Sequence, residues 1–133
     1  MTTVDPFAPS PIVFGRFRDT NDQWDFTEFI LFLISNSHLK DGDFLIVDNC
    51  KLHCAVETFP LISTILRQNG ITLMFLPKYS PELNPCELVF SKMKSYLRYQ
   101  RGSEDFSTEI IQSALTLTFK MMFDFYMKCI CFD

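Results

Sequence analysis

Two short stretches of this sequence bring together side chains that could do chemistry: residues 44–53, FLIVDNCKLH, and residues 76–94, LPKYSPELNPCELVFSKMK. The first carries Asp48, Asn49 and His53; the second carries Tyr79, Asn84 and Glu87. Asp48 and Glu87 stand 39 positions apart, a spacing that has no meaning until a fold is supplied. Each acid has two uses. As a pair at neighbouring strand ends they would form one oxygen-rich site; taken singly, Asp48 would cap the segment after it and Glu87 would close a capping box with Asn84. Cys50, His53 and Cys54, with Cys129 and Cys131 further on, have the atom types of a zinc site but lack its paired, regular spacing, so no zinc is expected. Five cysteines, an odd number without a framework, fit reduced thiols.

The elements needed to position these groups can be read from local pattern. Residues 44–47 are an unbroken apolar run, the mark of a strand covered on both faces, and it ends at Asp48. Residues 71–76 form a second apolar run that stops against Pro77. Asn84, Pro85 and Glu87 then read as N-cap, first and third positions of a helix, expected over 85–98 with Cys86, Val89, Phe90, Met93 and Leu97 as its buried stripe. Between the two strands, residues 55–69 have a helical pattern; Pro60 favours a start near Thr58, and Asn69 with Gly70 supplies the stop. A crossover helix makes the two strands parallel, with both acids at the carboxyl edge.

Elsewhere, residues 1–11 read as a loop or arm with three prolines, and Asp5, before Pro6, as a surface residue. A strand is expected over 12–17, towards one edge of the sheet, followed by a turn over 19–22. Asp25 and Glu28 form an N-cap signature for a helix over 26–35, with Trp24 stapled to its apolar face and His38 in the loop after it. A last helix over 106–126 would bury Ile110, Ile111, Ala114, Leu117 and Met121 against a sheet face. Alternating strands and helices point to an α/β sheet of at least three strands.

The blocks DNCKLH and LPKYSPELNPCELVFSKMKSYLR closely resemble the second and third catalytic blocks of DDE superfamily endonucleases and transposases of the Tc1/mariner and IS630 group. The likeness extends from about residue 13 to the end. It implies the C-terminal part of a ribonuclease-H-like catalytic domain, a mixed sheet with flanking helices, truncated before the strand that carries the first aspartate. On this resemblance residues 1–133 are one incomplete domain whose inherited activity is metal-dependent DNA cleavage and strand transfer. Asp48 and Glu87 match the second and third acids, as ligands for Mg2+ or Mn2+. Asn49, His53, Tyr79 and Asn84 would support them or touch substrate, and DNA would be the partner, with a homo-oligomer allowed. With the first acid missing, activity is expected to be incomplete; the rival is a non-catalytic, transposon-derived DNA- or protein-binding remnant.

Composition bounds these expectations. At 133 residues and 47 % apolar the chain can bury one domain's core, and fifteen Phe against four Gly exclude low complexity. There is no run long enough to span a membrane and no secretory leader, so an intracellular setting is expected, nuclear if the host is eukaryotic. The net charge of −4 is unevenly spread: residues 78–101 hold five bases against two acids. Lys78, Lys92, Lys94 and Arg98 in that segment are the candidate phosphate contacts, unless they are simply a solvated helix face.

Overall fold

Asp22 starts the first long element of the chain, and it does so by the reciprocal bonding of a capping box. Its carboxylate accepts from the backbone N–H groups of Trp24 and Asp25, and the Asp25 carboxylate accepts from the Asp22 N–H at 3.0 Å. The resulting helix α1 (Gln23–Ser35) therefore begins a turn earlier than the Asp25–Glu28 signature indicates. Two overlapping signatures compete, and the earlier one adds hydrogen bonds without moving Phe26, Phe29, Ile30 and Leu33 from the buried face. Trp24 falls within the first turn and is 53 % exposed, so it is not the staple expected of it. In this computed structural model the described residues are 2–4, 12–15, 21–51, 53–99 and 105–130, the first two stretches by their backbone only. The readings of Asp5, Phe17 and Cys131 lie outside them.

The described residues between 21 and 80 form one compact unit. After α1 come strand β3 (Phe44–Val47), helix α2 (Phe59–Gln68) and strand β4 (Thr72–Phe75). β3 and β4 are parallel, with Phe44 opposite Thr72 and Val47 opposite Phe75. α2 starts after Thr58 with Pro60 in its first turn, where a missing N–H costs nothing, and closes at Asn69 before Gly70 (φ +67°). Phe26, Ile30, Leu45, Val47, Ile62, Leu66 and Ile71 make the core, so α1 and α2 cover the same face of the strand pair. The other face is open: Phe44 is 64 % and Met74 48 % exposed, which differs from the expectation of strands covered on both sides.

The second unit joins strands β1 (Thr2–Val4) and β2 (Ile12–Gly15) to the described residues from 81 onward. β1 and β2 pair antiparallel as a separate two-stranded sheet, with a register shift after Thr3. The arm expected at the start thus contains a short strand, consistent with the β-branched run Thr2, Thr3, Val4, and β2 does not join the β3–β4 sheet. A 3-10 turn (Pro81–Leu83) leads into helix α3 (Pro85–Tyr99), which packs on helices α4 (Phe106–Leu115) and α5 (Phe119–Ile130). Val89, Leu117 and Met122 are buried together, flanked by Met93 and Phe125.

The single helix expected over 106–126 is two. The Thr116 hydroxyl donates back to the Ser113 carbonyl at 2.6 Å, while the Thr118 hydroxyl accepts from the Met121 N–H at 3.3 Å. One threonine ends α4 and the other starts α5, with Leu117 buried at the elbow between them. Asp105 caps α4 through Ser107 and Thr108; the hydrogen bonds from the Thr108 hydroxyl and amide hold its carboxyl below the ordinary value.

Candidate functional site

In the first unit the candidate residues gather at the carboxyl edge of β3–β4. Asp48 is the first residue beyond β3, and β4 ends beside it, the Leu76 N–H donating to the Val47 carbonyl at 2.9 Å. Asn49 fixes this edge: its side-chain amide donates to the Leu76 carbonyl, tying the loop after β3 to the end of β4. That bond makes Asn49 a structural clamp, a role that alternation and spacing do not reveal, because it depends on which strand lies alongside.

His53 closes on Asp48 from the other side. Its Nδ1 lies 2.8 Å from Asp48 Oδ1 and 3.2 Å from the Asp48 carbonyl, so Nδ1–H is the donor to both. The ring sits on Phe26 with centroids 4.2 Å apart, which fixes its plane against the core. Asp48 Oδ1 also accepts from the Cys50 N–H at 3.2 Å, the turn-capping use of this residue. Both bonds fall on one oxygen. Oδ2 has no protein partner among the described residues, and the side chain is 46 % exposed.

Residues 76–80 leave the same edge as an exposed loop. Lys78 is exposed with no ion pair among the described residues, and Tyr79 is 97 % exposed with φ +60°. A bulky residue in the left-handed region stores backbone strain, of the kind that persists where a loop's shape is constrained for function.

In the second unit Asn84 caps α3 by accepting from the Cys86 N–H at 3.1 Å, with Pro85 at the first helical position as the sequence indicates. The reciprocal half of the capping box is absent: Glu87 is exposed, and its carboxylate bonds to none of the described residues. Helical spacing sorts the rest. Val89 is buried and Met93 packs beside it, whereas Phe90, expected in the stripe, is 37 % exposed. Glu87, Lys94 and Arg98 recur on the exposed side opposite Val89, while Lys92 belongs to a different face with Tyr96 and Tyr99. Lys92, Lys94 and Arg98 are all exposed and have no ion-pair partner among the described residues.

Asp48 Oδ2 and the Glu87 carboxylate are thus uncommitted oxygen donors, the kind that suits a hard divalent cation. Among the described residues no three of His, Cys, Asp and Glu come together as a metal-holding group, around Cys50, His53 and Cys54 or elsewhere. No helix among them is long and apolar enough to cross a membrane. In comparisons with known proteins, the family model described as DDE superfamily endonuclease matches residues 10–109, which include both acids and all four candidate cations. Among curated proteins none matches the chain.

Proposed function

This chain belongs to the DDE superfamily endonucleases, and from that premise we propose that it is a transposase-like nuclease domain of the Tc1/mariner type, ribonuclease-H-like in fold, in which Asp48 and Glu87 are metal-binding carboxylates. The observation that carries the proposal is that Asn84 caps α3 without help from Glu87, which leaves an acid at a helix start with no structural task. A divalent Mg2+ or Mn2+ ion, when bound, would supply activation of water or a 3′-hydroxyl and stabilise the oxygen leaving phosphorus. The chain's own residues prepare for this. His53 holds Asp48 Oδ1 and so orients Oδ2 outward, as partners of ligating carboxylates do. Asn49 keeps the two strand ends in register beneath Asp48. Lys94 and Arg98, on the Glu87 face of α3, and Lys78, on the loop after β4, are the groups to meet DNA phosphates.

The family's chemistry uses three acids, and the matching blocks in this sequence carry two. The proposal therefore includes weak metal binding and little turnover by this polypeptide alone. A second reading, a DNA-binding remnant without catalysis, is favoured by the lack of a three-residue metal group among the described residues. Calorimetric titration with Mn2+ separates the two. Binding that falls in both Asp48→Ala and Glu87→Ala is the expected result; binding that is unchanged in either variant, or absent from the parent, removes the metal assignment and leaves the remnant. Nicking of supercoiled plasmid by the parent but not by Asp48→Ala would overturn the expectation of low turnover.

A further inference from the structure

Helical spacing places Lys92, Ser95, Tyr96 and Tyr99 at i, i+3, i+4 and i+7, on one side of α3 and away from Glu87. With Thr116 from the elbow and Met121 from α5 they line an open groove of about 280 Å³, small for a ligand cleft. The composition is unusual for a helix surface that merely faces water. Tyr99 is 87 % exposed and packs away little of its ring, and Tyr96 is half-buried beside it. Lys92 at the groove has no ion-pair partner among the described residues, and the nearby Lys94 and Arg98 are likewise unneutralised. Thr116 has already committed its hydroxyl proton to the Ser113 carbonyl and keeps only acceptor capacity, so the donors left to a ligand are Lys92 Nζ and the hydroxyls of Ser95 and the tyrosines.

We propose that this groove takes one unstacked nucleobase of a DNA strand against the tyrosine rings, with Lys92 on an adjoining phosphate. A base has a flat π-face and a polar edge and is tied to an anion, which matches an aromatic wall, hydroxyls and a single cation in one small groove. The inference rests on the DNA-binding reading above and adds a base-stacking site to it, on a different face of α3 from Glu87, Lys94 and Arg98.

The test is anisotropy titration with two labelled strands of equal length, one of oligo-dT and one with every base replaced by an abasic residue. The parent protein should bind the dT strand about tenfold more tightly, a typical contribution from one stacked base. Tyr99→Ala should abolish that preference while still binding the abasic strand, Tyr99→Phe should retain it, and Lys92→Gln should weaken both strands alike. Because Tyr99 is so exposed, unchanged thermal unfolding of Tyr99→Ala by circular dichroism is the control for folding. Equal binding of both strands by the parent, or a preference that survives Tyr99→Ala, overturns the groove and leaves the DNA reading standing. Failure of the parent to bind either strand while it binds duplex DNA overturns the groove alone, and failure to bind any of the three overturns both.

Discussion

At the residue scale, chemistry here depends on which atoms are already occupied. Asp48 has both a turn-capping use and a free oxygen, because the Cys50 amide and the His53 ring share Oδ1. Glu87 has no structural use among the described residues because the Asn84 N–H, from which a capping-box acid would accept, already donates to the Pro81 carbonyl at 3.0 Å. The cysteines divide the same way. Cys50 and Cys54 are exposed, while Cys129 is 3 % exposed, and burial pushes its thiol up, with the Lys128 charge pulling weakly against it. A thiol whose folded value is raised favours its protonated form, so its contribution to stability is intact below the unfolded value and is lost as pH rises through the folded one. Alkylation followed by peptide mass mapping near neutral pH should label Cys50 and Cys54 within minutes and Cys129 only on unfolding. Equal labelling of Cys129 would mean that α5 does not pack as described.

At the element scale, the turn after α2 decides whether β4 arrives beside β3. Gly70 stands at φ +67°, and its carbonyl accepts from the Gly42 N–H at 3.0 Å, joining the two loops that feed the parallel strands. A methyl group there would meet Asp41 Oδ1 at 1.8 Å and would also force an L-residue into the left-handed region. Gly70→Ala is therefore expected to cost about 1–2 kcal/mol in urea unfolding from the backbone conformation alone. Adding Asp41→Ala removes the side-chain collision without relieving the dihedral, so the double variant should recover only part of the loss. Full recovery would show that the backbone at Gly70 is not the constraint. The Thr116–Thr118 elbow makes the complementary point: its hydroxyls turn one periodic apolar pattern into two helices, and periodicity alone carries no sign of the break.

At the scale of the whole molecule, a net charge of −4 opposes DNA, so affinity has to come from the segment where cations go unpaired. Lys94 and Arg98 share the exposed side of α3 with Glu87 and meet no acid that would neutralise them among the described residues. Replacing both with alanine should flatten the dependence of log K on log salt for duplex DNA by about 1.8, two phosphate contacts at roughly 0.9 each. An unchanged slope would move the DNA face off this side of α3. The double variant should leave the base preference tested at Tyr99 in place, because that groove lies on a different face.

The sequence by itself determined the two acid-bearing blocks, the parallel order of the strands at 44–47 and 72–75, the start of α2 near Thr58 and the Asn84–Pro85 entry to α3. These are legible because each rests on neighbours in the chain: a cap and the amides it serves, a proline and the N–H it lacks, an apolar run and its stop. Tertiary structure alone decided that Asn49 clamps β4, that His53 rests on Phe26 and occupies only one oxygen of Asp48, and that Trp24 and Phe90 face solvent. The physical reason is that a side chain's partners are set by which surfaces pack, and packing joins residues far apart in sequence, where local propensity and periodicity carry no information.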